Sequence, residues 1–277
     1  MTRIVGVHGI GNHESGLTAD QAAALVSRRW LAAMRRRLGG NVGLDLRVAY
    51  YADRLDRGTA QGAVDDLETL TEPERELLLA WAGQLGAPAE VAQGRLTAPA
   101  RVAASWIAQK FGLDSRMVRI FVSRFCREVS TYFEEPERRD AARGRVTGLL
   151  TDARPKVVIG HSLGSVLAYE ALWRLPDLDV ELLVTLGSPL GLPDVIFDRL
   201  DPVPDNGQGS RPPGVRRWIN VADSGDIVAV PHGLPERFTG IAADLTDQIG
   251  LFDFHKVTNY LASPVTSAAI ASLAEEA

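Results

Sequence analysis

Five residues in the middle of the chain, Gly160-His161-Ser162-Leu163-Gly164, leave the backbone around them very few options. An apolar run, Val157-Val158-Ile159, comes immediately before them, and an amphipathic stretch follows over residues 163–175. A G-x-S-x-G sequence between a strand and a helix is the setting of a sharp turn that lifts the serine hydroxyl out of the backbone. The flanking glycines remove side chains that would collide across such a turn. The helix that starts at the serine brings its free N–H groups and the positive end of its dipole alongside the hydroxyl.

The rest of the chain continues this strand–helix alternation, which predicts an α/β fold with a mostly parallel sheet and helices on both faces. Strands are predicted at 4–7, 44–51, 157–161, 180–186 and 215–221, with a weaker one near 241–245. Helices are predicted at 18–38, where Thr18 and Gln21 form a capping box, and at 138–150, 163–175 and 255–262. Residues 201–214, rich in proline and glycine, read as a surface loop. Between 54 and 141 the rhythm stops. That segment has no convincing strand but carries a second capping box, Thr71 with Glu74. It also carries an apolar stripe at spacings of three and four: Val118, Phe121, Val122, Phe125, Val129, Tyr132 and Phe133. The division expected is an α/β core of residues 1–53 and 142–277 with a helical insertion, 54–141. The insertion should enter at the carboxyl edge of the sheet and cap the site there.

A serine hydroxyl needs a base, and the base needs a group to orient it. Of the five histidines, His8 and His161 belong to glycine-rich turns, and His161 is expected to point away from the serine. His13 and His232 sit on loops. His255 follows the last candidate strand and has the best position for the base. The acid should follow the strand ending at Val221, where Asp223 and Asp226 both stand. The apolar pair Ile227-Val228 would pin Asp226 against the core, which favours it, while Asp223 would cap the turn. Asp194 and Asp244 are less well placed. The turn after the first strand, His8-Gly9-Ile10-Gly11, suits a backbone donor to a negative oxygen. Ile10 N–H would then act together with Leu163 N–H. His8, Gly9, Asp53 and Ser188 are further candidates for contact with substrate.

These residues together resemble the α/β-hydrolases of the lipase and esterase type, particularly bacterial members with an early His-Gly turn. The likeness rests on Val7-His8-Gly9-Ile10-Gly11, Gly160 to Ser165, Thr185-Leu186-Gly187-Ser188-Pro189-Leu190, Asp226-Ile227-Val228, and His255 with Tyr260-Leu261. It does not extend to the insertion, and with the chain starting at the strand before the His-Gly turn, the two antiparallel strands that open larger members are not expected here. The resemblance implies hydrolysis of an ester or related acyl bond on a small-molecule acyl substrate, with no cofactor. An acyltransferase, a thioesterase and a hydrolase fold used only for binding remain alternatives.

Composition removes other classes. Thirty basic against thirty-five acidic residues give a net charge of −5, so no global attraction to nucleic acid is expected. The single cysteine, Cys126, excludes an internal disulfide and a cysteine-based zinc cluster. His8, His13 and Glu14 lack metal-ligand spacing, so no metal is expected. No apolar run approaches the length of a transmembrane segment. The opening residues read as a core strand rather than a secretory leader, so a cytoplasmic location is expected unless a leader was removed before this numbering. Oligomeric state stays open.

Overall fold

The computed structural model describes residues 2–38, 43–58, 66–94, 97–229, 233–249 and 255–271. Its centre is a six-stranded sheet made of β1 (Thr2–Val7), β2 (Leu44–Ala49), β3 (Val157–His161), β4 (Val180–Leu186), β5 (Val215–Asp223) and β6 (Ile241–Asp247). The strand order is β2-β1-β3-β4-β5-β6, and every pairing is parallel. The segment near 241–245 reads weakly in sequence because β6 is an edge strand whose residues are only partly buried.

Successive side chains of a strand point to opposite faces, so each central strand feeds two cores. Ile4, Val157, Ile159, Leu182 and Val184 pack on one face with Trp30 of α1 (Ala19–Leu38). On the other face, Val5, Val7, Val158, Leu183 and Trp218 share a core with the helices between residues 72 and 134. These helices are α2 (Glu72–Gln84), α3 (Pro99–Phe111) and α4 (Ser115–Glu134), and single helical turns, Ala52–Leu55 and Ala89–Ala92, precede α2 and α3. Thr71 and Glu74 form a capping box, and the Asp114 carboxylate accepts the N–H groups of Arg116 and Met117. Of the apolar stripe of α4, Val118, Val122, Phe125, Val129, Tyr132 and Phe133 are buried, while Phe121 is half-buried.

Two further helices, α5 (Pro136–Ala153) and α6 (Leu163–Trp173), lie on the same side of the sheet as α2 to α4. The short α7 (Val257–Leu261) and α8 (Pro264–Ala271) lie against α1 on the opposite side. The 201–214 loop carries a two-residue strand, Gly209–Ser210, paired with Phe238–Thr239. Helices α4, α5 and α6 are tied by one buried carboxylate. Glu170 accepts from Tyr132 Oη at 2.6 Å, from Arg139 at 2.5 Å and from Arg143 at 3.2 Å. Among the described residues, no helix is long and apolar enough to cross a membrane.

The strand order fixes where a site can form. The chain leaves β1 for β2 on one side and returns to β3 on the other, so the crevice at their carboxyl ends is a topological switch point. Val7 pairs with Gly160, which sets the turns after β1 and β3 side by side.

Candidate active site

Ser162 stands at the turn from β3 into α6, with φ +53° and ψ −132°. A non-glycine residue there stores strain on the order of 1–3 kcal/mol, so its surroundings must hold it. They do so by three hydrogen bonds. Ser162 N–H donates to Leu186 O at 3.0 Å, while Ser162 O accepts from Ser165 N–H at 2.9 Å and from Ser165 Oγ at 2.6 Å. Gly164 and Gly9 are required by close approach. A Cβ on Gly164 would lie 2.1 Å from His8 O, and one on Gly9 would lie 2.7 Å from Ser162 Cβ. The turn after β1 therefore lies directly against the serine.

His255 Nδ1 lies 2.6 Å from Asp226 Oδ2, and both side chains are buried. The same carboxylate oxygen accepts Tyr260 Oη at 2.7 Å, and Oδ1 accepts Val228 N–H at 2.8 Å. An acceptor on Nδ1 keeps the proton there and leaves Nε2 free to take another. Asp223 faces elsewhere, accepting N–H groups from Gly225 and Ile249. Ser162 Oγ and His255 Nε2 are both buried and have no hydrogen-bond partner among the described residues. As the first residue of α6, Leu163 has an N–H with no partner inside its own helix.

A cavity of about 340 Å³ opens on this cluster, lined by Ile10, Phe121, Arg124, His161 and His255 among others. Phe121 of α4 meets the His255 ring edge-on at 5.2 Å. His161 does not turn away as expected; its ring centre lies 4.7 Å from that of His255. Burial and the neighbouring His255 hold its pKa well below the ordinary value, so it stays neutral.

Four residues named from sequence as substrate contacts are placed outside this cavity. His8 is fully buried and stacks on Tyr51 at 4.2 Å. Its Nε2 accepts Tyr51 N–H, so the proton sits on Nδ1 and is donated to Gly9 O at 2.8 Å. Burial lowers its pKa to about 4. Gly9 acts through its missing side chain. Asp53 pairs with Arg54 and Arg145. Ser188 Oγ is 2.7 Å from Ser165 Oγ and so braces the elbow from below. His13 pairs with Asp56 at 3.5 Å, and His232 lies outside the described residues.

Arg124 and Glu128 have no signal in the sequence for a place near the site, since α4 reaches it only through tertiary packing, and Phe121, read from its spacing as part of the apolar stripe, lines the cavity instead. Glu128 Oε1 accepts Gly11 N–H at 2.7 Å, joining the insertion to the turn that holds Ile10. Burial raises the Glu128 carboxyl to about 7, against the opposing pull of the Gly11 N–H and Arg124. Tyr260 falls within the stretch that carries the family resemblance, but its bond to Asp226 has no local signature. No family model matches the chain, and no curated protein or solved structure matches it either.

Proposed function

We propose that the chain is a serine hydrolase of the α/β-hydrolase type that cleaves a carboxylic ester, with residues 54–141 as a helical cap over the acyl site. One observation carries this reading. A buried histidine held by a buried carboxylate sits in one cavity with the two turns that flank a strained serine. A structural histidine has no need of an unpartnered Nε2, and a structural serine has no need of positive φ.

In the reaction, Ser162 Oγ attacks the acyl carbonyl carbon while His255 Nε2 takes its proton. The negative oxygen that forms is received by the N–H groups of Ile10 and Leu163. Asp226 holds the imidazolium that results, and His255 then gives the proton to the departing alcohol as the acyl–oxygen bond breaks. Water, deprotonated by His255, frees the acid and restores the serine. The Ser162–His255 hydrogen bond is of the kind that often closes only with substrate in place.

Hydrolysis of p-nitrophenyl butyrate tests the reading. Wild type should turn it over, and Ser162→Ala should lose roughly 10⁵-fold or more in kcat, because triad members act as a unit. A variant that keeps most of its activity would remove Ser162 from the mechanism.

A further inference from the structure

A second cavity, of about 570 Å³, lies on the other side of the turn after β1. It shares Gly11 and Arg124 with the cavity at His255, so the oxyanion turn forms the seam between them. The two differ in chemistry. The first presents Ile10, Met117, Ile120 and Phe121, whereas the second presents Ser15, Thr69, Thr71, Thr131 and several charged groups.

Two arginines of the second cavity are paired with carboxylates that lie outside its lining, and its histidine faces a carboxylate within it. Arg57 bonds Glu74 and Glu135, each at 2.7 Å. Arg127 bonds Thr69 Oγ1 at 2.6 Å and lies 3.6 Å from Glu74. His13 faces Asp56 at 3.5 Å. A wall of paired ions and hydroxyls favours neither a phosphate nor an ammonium, but it offers many hydrogen bonds. Glu128 adds an unfilled one. Its Oε1 is taken by Gly11 N–H, while its buried Oε2 has no hydrogen-bond partner among the described residues. A buried acceptor without a donor is costly, and a ligand hydroxyl would satisfy it. The volume lies within the range of about 300–1,000 Å³ common to small-molecule sites.

Resting on the serine-hydrolase reading, we infer that the substrate is an ester of an apolar acyl chain with a neutral, hydroxyl-rich alcohol. The acyl chain enters the cavity at Phe121, and the alcohol occupies the cavity at Glu128, where a hydroxyl donates to Oε2. The acyl–oxygen bond then lies at the seam, beside Ile10 N–H.

The test compares 6-O-octanoylglucose with ethyl octanoate, which share an acyl group and differ in the alcohol. Assays are run at pH 8 with Glu128 ionised. Wild type should show kcat/KM at least about tenfold higher for the glucose ester, the size of effect expected when a site's polar groups are matched. Glu128→Gln keeps a carbonyl oxygen for Gly11 but turns an amide towards the ligand. It should cut that preference by about tenfold, mainly through KM. Reaction of this variant with a small fluorophosphonate verifies that it is folded. Equal or better turnover of ethyl octanoate by wild type would overturn the assignment while leaving the serine hydrolase intact. An unchanged preference in Glu128→Gln would overturn the role of Glu128. Failure of wild type to react with the phosphonate or with either ester would remove the hydrolase reading, and this inference with it.

Discussion

At the scale of single residues, the site depends on which aspartate meets His255. Asp226 receives His255, Tyr260 and the Val228 N–H, whereas Asp223 accepts the backbone N–H groups of Gly225 and Ile249. Asp226→Asn should therefore lower kcat for p-nitrophenyl butyrate by about 10⁴-fold, the cost of a histidine held in the wrong tautomer. Asp223→Asn should cost less than about tenfold, since it leaves the His255 bond in place. Steady-state kinetics of the two variants decides the matter, and a larger loss in Asp223→Asn would reverse the assignment. Ser162, Asp226 and His255 are legible in the sequence because a local motif and a chain order point to them. His8 is not. Its immediate neighbours suggest a ligand, but it is buried, stacked on Tyr51 just past the end of β2 and bonded to its N–H. His161 is misread for a similar reason, because its direction is set by packing against His255.

At the scale of elements, α4 carries two stripes. Spacings of three and four along Val118, Val122, Phe125 and Val129 announce the buried one. A parallel stripe of Met117, Phe121, Arg124 and Glu128 runs beside it and faces the turn after β1. Of these, only Phe121 enters the stripe read from sequence, and the mixed chemistry of the others hides their place. The same helix thus anchors the insertion and walls the cavity. Trp81 of α2 adds a second link, donating to Ile227 O next to the Asp226 turn at 3.0 Å. Phe121→Ala should enlarge the cavity at His255 and shift kcat/KM towards octanoate over butyrate esters by about fivefold or more. Its rate of reaction with a small fluorophosphonate should stay within about threefold of wild type, because the groups that react are untouched. A parallel loss in both measurements would mean that α4 supports the triad rather than shapes the acyl pocket.

At the scale of the whole molecule, the sheet and helices α2 to α6 share one continuous core, so stability and site are coupled. Burial holds His8 at about 4, below its ordinary 6.5. The unfolded chain binds this proton at a higher pH than the folded chain does. The His8 contribution is therefore complete above 6.5 and is lost as pH falls towards 4, amounting to about 3 kcal/mol. His161, shifted in the same direction, adds to the loss. Glu128 works the other way. Raised to about 7, it contributes stability at low pH that disappears as pH rises through 7. Calorimetry should show a lower Tm at pH 5 than at pH 7.5, and a steeper fall in Glu128→Gln, where the opposing group is gone. A Tm that rises on acidification would contradict this balance. The central claim, that Ser162 is a nucleophile driven by the His255–Asp226 pair, is met most directly by locating a covalent adduct. The intact chain is treated with a fluorophosphonate, digested and analysed by mass spectrometry. The expected result is one phosphonyl group per chain, on Ser162, formed far more slowly in His255→Ala and Asp226→Asn. An adduct on another residue, or no adduct at all, would contradict the account.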